Sequence, residues 1–277
     1  MIDAGLSARQ IGLRLERLGL AIDQVDAILL THEHGDHVRG LDVLCRRHAI
    51  PVYCTALTRE ALGQRARGET GTEWRIMPKA GLFEIEDITV ETFPVMHDAA
   101  DPVGFTMTSA SRRLGVVSDA GHLTKLIVDR LLTAGTVFLE ANYDEEMLIA
   151  DRRRPWPTKQ RIQSRHGHLS NIQAAQFVGE LAAMGGAIRR VVLGHLSQDC
   201  NRPDKAAAAV EQTLRDGGFP EIDVHCACQA EPTPWFTLSP APEAEPSSVR
   251  EMPPDAGKAL PAPVEPLVEF HRQPELF

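Results

Sequence analysis

The sequence predicts an α/β protein in which helices lie outside two facing sheets, a four-layer αββα sandwich. Three observations carry this reading. Short apolar runs alternate with helical periodicity over the first 66 residues. A strand-rich middle, near 73–118, has the short apolar runs of a second sheet. Helical and strand patterns then alternate again as far as 238.

Taken in order, Ser7 can cap a helix that carries Ile11, Leu15 and Leu18 on one face and ends at Gly19. Strands are expected near 26–31 and 51–54, with helices near 39–48 and 55–66 between and after them. Beyond the strand-rich middle, helices are expected near 122–133, 170–184 and 203–216, separated by strands near 136–140 and 189–194. A strand region near 222–238 closes the domain, and no internal repeat is visible. Cys226 and Cys228 alternate within that region and read as core residues of a strand.

The chemistry concentrates in Thr31-His32-Glu33-His34-Gly35-Asp36-His37, directly after the apolar run Ala27-Ile28-Leu29-Leu30. Imidazole nitrogen and carboxylate oxygen suit zinc and other first-row divalent ions. His32 and His34 can turn to one side of such a loop while Asp36 and His37 address a neighbouring point, so one loop can serve two ions. Further ligands must come from elsewhere. His97, Asp119 and His195 each stand just past the C-terminal end of an apolar run, where loop residues gather at a sheet edge. His48 and His271 are expected to have no metal role.

This order of motifs resembles the metallo-β-lactamase superfamily, with HxHxDH followed by His, Asp and His, over roughly residues 1–238. The resemblance implies that His32, His34 and His97 hold one divalent ion and that Asp36, His37 and His195 hold the other. Asp119 would bridge the two, and the ions would be zinc or manganese. A narrower resemblance is to the YycJ/WalJ-type metallo-hydrolases, which look like nucleic-acid phosphodiesterases. It rests on His97-Asp98-Ala99, Asp101-Pro102-Val103-Gly104-Phe105, Leu139-Glu140-Ala141-Asn142, Arg161-Ile162-Gln163-Ser164, Gly167-His168-Leu169-Ser170-Asn171 and Gly194-His195-Leu196-Ser197. His168 precedes an Ala-rich helix, as does a histidine beside the metals of ribonuclease Z-like enzymes. It is the candidate proton donor, and Glu140 orients it or shares that role. Asp36 is counted with the catalytic residues as well as the ligands.

The chain departs from the family in two places. Tyr143 stands where a histidine is expected after Glu-x-Asn. Met1-Ile2-Asp3-Ala4-Gly5 resembles the end of an early strand that relatives precede with about two more, so the first strands are expected to be missing, either through a start codon placed too late, the favoured reading, or because this form lacks part of one sheet. The competing enzyme reading, a thioesterase or lactonase on the same fold, is disfavoured because those groups usually carry His-Thr-x-Gly where this chain has His97-Asp98-Ala99-Ala100. A non-catalytic clamp-associated adaptor is disfavoured by the complete ligand set.

Composition sets the outer limits. No run of eighteen apolar residues exists and no signal peptide is visible, so a cytoplasmic protein without a membrane span is expected. Five cysteines with no paired CxxC set are expected to be reduced thiols. A net charge of −9 argues against broad electrostatic adhesion to nucleic acid. Locally, Arg152, Arg153, Arg154, Lys159, Arg161 and Arg165 face a single acid, Asp151; this stretch either flanks the cleft or forms a solvated helix. After Leu238 the chain becomes Pro-rich, and residues 239–277 read as a disordered tether. It ends in Gln273-Pro274-Glu275-Leu276-Phe277, which is similar to the peptide that docks on the bacterial β sliding clamp. The alternative is an accidental apolar end. A clamp partner would place the hydrolase in DNA replication or repair.

Overall fold

The computed structural model describes residues 1–65 and 72–238. The Pro-rich tail, with Gln273, Leu276, Phe277 and His271, lies outside the described residues. Among the described residues the strands are β1 (Ile28–Leu29), β2 (Val52–Cys54), β3 (Trp74–Ile76), β4 (Gly81–Ile85), β5 (Ile88–Pro94), β6 (Val103–Ser109), β7 (Arg112–Val117), β8 (Thr136–Glu140), β9 (Arg190–Gly194) and β10 (Asp223–Cys226). The helices are α1 (Ala8–Arg17), α2 (Gly35–Val38), α3 (Leu41–Arg47), α4 (Ala56–Arg65), α5 (Lys125–Leu131), α6 (Glu145–Ala150), α7 (Trp156–Ile162), α8 (Asn171–Ala183) and α9 (Pro203–Gly217).

Two sheets result. β1, β2 and β3 pair in parallel, and Ile2 adds a parallel bridge to Leu29. The larger sheet runs β10-β9-β8-β7-β6-β5-β4, antiparallel from β4 to β7 and parallel from β7 to β10. Because side chains alternate across a strand, β1, β2, β5, β7 and β8 feed two cores. Ile28 and Leu30 join Ile11, Leu41, Leu44 and Val52 beneath the helices on the small sheet. Ala27 and Leu29 point the other way and meet Tyr53, Val90, Phe105 and Val116 between the sheets. Val117, Val137, Leu139, Val191 and Leu193 pack outward on Ile127 and Leu131 of α5, Phe177, Val178 and Leu181 of α8, and Val210 and Leu214 of α9. Three cores therefore separate four layers, as expected. Full burial of each such side chain contributes about 1.5–3 kcal/mol.

The helix signals act where they were read. Ser7 accepts from the Gln10 amide, and Gly19 follows α1 with φ 75°. Ser170 and Gln173 cap α8 reciprocally, at 2.9 and 3.2 Å. Four features differ from expectation. β3 belongs to the first sheet rather than the second: its three residues, mostly exposed, form that sheet's edge. The closing strand stops at Cys226, and Cys228 is exposed beyond it rather than in the core. α6 is six residues long, too short to display a helical period. α7 opens with prolines at 155 and 157, which signal a break in sequence yet are tolerated where amides have no helical partner. All five cysteines are free thiols, and among the described residues no helix is long and apolar enough to cross a membrane.

Candidate metal centre

β5, β7, β8 and β9 run in the same direction, so their C-terminal ends open at one edge of the large sheet. His97, Asp119, Glu140 and His195 stand at those ends, and the loop of residues 31–37 after β1 meets them from the small sheet. All seven ligands read from sequence come together. Donor atoms of His32, His34 and His97 lie within 4.8 Å of one another, and so do those of Asp36, His37 and His195. Asp119 stands between the sets: its Oδ2 is 3.1 Å from His37 Nε2, and its Oδ1 is 3.4 Å from His195 Nε2 and 3.7 Å from His97 Nε2.

Four of the five candidate-ligand imidazoles, all but His34, are aimed by a bond on the far nitrogen. His37 Nδ1 lies 2.7 Å from Asp3 Oδ2, and Asp3 also accepts the Thr31 amide and hydroxyl at 2.8 Å. His97 Nδ1 donates to the Gly167 carbonyl at 3.1 Å, and His32 Nδ1 contacts the Thr31 hydroxyl at 3.0 Å. Glu140 Oε1 receives both His168 Nδ1, at 2.7 Å, and His195 Nδ1, at 2.8 Å, while its Oε2 accepts the amides of Ala120 and Leu169. With both oxygens engaged and the side chain fully buried, Glu140 is placed to orient imidazoles rather than to hold an ion. Asn142 adds a bond to the His195 carbonyl at 2.9 Å. His168 keeps Nε2 without a hydrogen bond among the described residues, on a side chain 22% exposed.

The backbone is bent to make this arrangement. Asp3, Asp119 and His195 have φ of 53°, 53° and 54°, left-handed values that cost a non-glycine residue on the order of 1 kcal/mol or more. Gly5 lets the N-terminal segment lie against the motif loop, since a Cβ there would sit 1.6 Å from the Asp36 carbonyl oxygen. Gly167 is equally confined, with its would-be Cβ 2.1 Å from the Ile162 oxygen, and this closeness holds its own carbonyl against His97.

The residues fit divalent cations on the structure's own terms. His32 Nε2 is buried with no hydrogen-bond partner among the described residues, and His37 Nε2 is buried beside the Asp119 carboxylate, 3.1 Å away; both face the cluster. Buried polar atoms left in this way are costly unless something binds them. The carboxylates in turn demand positive charge. Burial opposes ionisation of Asp119, yet His195 and His37 hold its carboxyl well below the usual range. Burial likewise opposes protonation of His37, but Asp3 and Asp119 raise it to about 10. His195 is raised by Asp119, Asp36 and Glu140 against its burial, whereas burial and neighbouring imidazoles push His32 down. Cations coordinated by these nitrogens and oxygens would meet the same demand.

The remaining sequence readings also find their places. His48 pairs with Asp23 at 2.8 Å, away from the cluster. Tyr143 is buried against Leu148 and Cys200, and burial pushes its phenol up to about 12. Of the basic stretch, Arg154 spans Asp151 and Asp199, Arg161 pairs with Asp98, and Lys159 is buried against the Ile149 carbonyl. Asp3, Thr31, Asn142 and Gly167 support the cluster although sequence reasoning gave them no role. All four stood in stretches singled out from the sequence, Asp3 in Ile2-Asp3-Ala4-Gly5, Thr31 in the His-rich loop, Asn142 after Glu140 and Gly167 before His168, but without an assigned part.

Comparison with known proteins agrees with this geometry. The Beta-lactamase superfamily domain matches residues 1–196. Exodeoxyribonuclease YycJ of Bacillus anthracis is 34% identical over 220 residues, covering 79% of this chain and 82% of that protein. Exodeoxyribonuclease WalJ of Streptococcus pneumoniae is 31% identical over 203 residues, 73% of this chain and 74% of that protein. Among solved structures, the metallo-beta-lactamase fold protein YhfI from Bacillus subtilis superposes with a TM-score of 0.61 at 16% identity, covering 82% of this chain and 83% of its own. Zn(2+)-bound PqqB from Methylobacterium extorquens gives 0.60 at 17%, covering 84% and 81%; both likenesses are of fold. A shared fold, a matching family domain and relatives of this identity over most of the chain lead to one placement: the chain belongs to the metallo-β-lactamase superfamily, among the YycJ/WalJ-type metal-dependent hydrolases.

Proposed function

We propose that this protein is a dinuclear-metal phosphodiesterase that removes nucleotides from DNA ends in replication or repair in the cytoplasm. The observation that supports this most is Asp119 between two converging donor sets, with its two oxygens turned to different imidazoles. His32, His34 and His97 would hold one ion, Asp36, His37 and His195 the other, and Asp119 both. Two such ions, zinc or manganese, supply a water of lowered pKa and neutralise phosphate oxygens when bound. The chain's own part is positioning and proton supply. Glu140 fixes the His168 ring through Nδ1 and leaves Nε2 without a protein partner among the described residues, free to donate a proton to the departing oxygen. The exonuclease names of the relatives support DNA as the substrate.

The test is incubation of metal-loaded protein with end-labelled single- and double-stranded DNA and RNA. Stepwise shortening of DNA is expected. Hydrolysis of a thioester or lactone with every nucleic acid left intact would contradict the proposal.

Asp3 gives a prediction of its own. Because it aims His37, Asp3→Ala should weaken metal binding about 10- to 100-fold, the usual effect of losing an outer carboxylate partner, without unfolding the chain. Metal-binding calorimetry of the two proteins checks it, and equal affinities would contradict it.

We further propose the division into a hydrolase domain, residues 1–238, and a tether, 239–277, that docks on a sliding clamp through Gln273, Leu276 and Phe277. A clamp would supply effective concentration near DNA to an acidic chain. A peptide of residues 267–277 should bind the clamp by fluorescence polarisation, and deleting 273–277 should abolish the interaction. No binding at high micromolar peptide would refute it.

A further inference from the structure

Between Glu140 at the end of β8 and His168 before α8 the chain leaves the sheet edge and returns to it, forming α6 and α7 on the way. Both roots of this excursion are tied to the candidate centre. Glu140 bonds His168, the Asn142 amide donates to Leu169, Tyr143 bridges to Ser170, and Gly167 accepts from His97. The Asp98 amide, next to His97, donates to the His166 carbonyl, and Arg161 of α7 pairs with the Asp98 carboxylate. Whatever lies on the excursion's outer face is therefore held beside the cleft.

α6 carries two exposed acids, Glu145 and Glu146, so the basic part of the excursion is α7 with its flanks. Trp156 is 58% exposed, set between Pro155 and Pro157, which limit its backbone. Arg152 and Arg165 are exposed and make no ion pair among the described residues, and Arg161 stays largely exposed despite its bond to Asp98. A solvated basic helix needs no indole in water; a base-stacking surface needs an exposed aromatic face flanked by cations. Ile162, at the far end of α7, accepts the His168 amide through its carbonyl, so the helix leads from Trp156 towards the candidate centre.

We infer that α7 and the residues flanking it are the docking face for a single-stranded end of the nucleic-acid substrate, with Trp156 stacking on a base and Arg152, Arg161 and Arg165 contacting phosphates. The inference rests on the nuclease reading above and adds which surface presents the strand. A single strand is the occupant because stacking needs a base face that a closed duplex does not offer.

The test is steady-state kinetics of the metal-loaded full chain on a labelled single-stranded DNA oligonucleotide and on bis(p-nitrophenyl) phosphate. Trp156→Ala should raise KM for the oligonucleotide about 5- to 100-fold, the range for losing one base stack, with kcat changed far less. Trp156→Tyr, which keeps an aromatic face, should recover most of the loss. Arg152→Gln and Arg165→Gln should each reduce the salt dependence of log KM by about 0.7 per phosphate contact. Hydrolysis of the small diester should not change. An unchanged oligonucleotide KM in Trp156→Ala, or an equal loss on the small diester, overturns this surface and leaves the nuclease reading standing. Wild-type protein that hydrolyses the diester but no oligonucleotide overturns the nuclease reading, and this inference with it.

Discussion

Replacing Asp119 with alanine should abolish hydrolysis while the chain still folds. Asp119 is 2% exposed, lies within 3.7 Å of nitrogens of His37, His97 and His195, and accepts the Ser118 hydroxyl at 2.6 Å. If it serves both donor sets as proposed, its loss removes more than one ligand's worth of binding. Metal at a phosphoryl centre supplies several kcal/mol of transition-state stabilisation, and each 1.4 kcal/mol is tenfold in rate. A fall of about a thousandfold or more is expected. Alanine is strained at φ 53°, so Asp119→Asn, which tolerates the left-handed conformation, should accompany it. Both variants should keep the wild-type circular dichroism spectrum and lose metal on dialysis. Full metal retention with normal turnover would show that Asp119 is not the shared ligand.

His168→Ala should separate chemistry from metal binding. Its Nδ1 is occupied by Glu140, and its Nε2 has no protein partner among the described residues, which suits proton donation better than ligation. Removing a general acid typically lowers the rate 10²- to 10⁴-fold, and a loss of about a hundredfold or more in kcat is expected at near-normal metal content. Elemental analysis alongside kinetics decides the matter. Loss of metal with loss of rate would make His168 a ligand or a positioning residue.

The residues proposed to bind metal were legible because each follows an apolar run that becomes a strand, and the four strands of the large sheet that carry His97, Asp119, Glu140 and His195 end at one edge. The residues that aim them were harder to read. Asp3 reaches His37 across 34 positions, and Gly167 reaches His97 across 70, through contacts that no local pattern encodes. The layers followed from alternation: Ala27 and Leu29 face one core while Ile28 and Leu30 face another. The sheet to which β3 belongs did not follow, because three mostly exposed residues carry no face-specific pattern. α6 went unread because it is too short to show a helical period, and α7 was read only as the helical alternative for the basic stretch because its prolines signal a break.

The central claim is that these histidines and aspartates hold two ions for phosphodiester cleavage. The most direct measurement is a titration of metal-stripped wild-type protein with zinc or manganese, following release of label from a DNA end. Activity should be absent without added metal and should rise to a plateau at two equivalents per chain. No cleavage at any metal loading, or full activity in protein shown by elemental analysis to hold only trace metal, would contradict it.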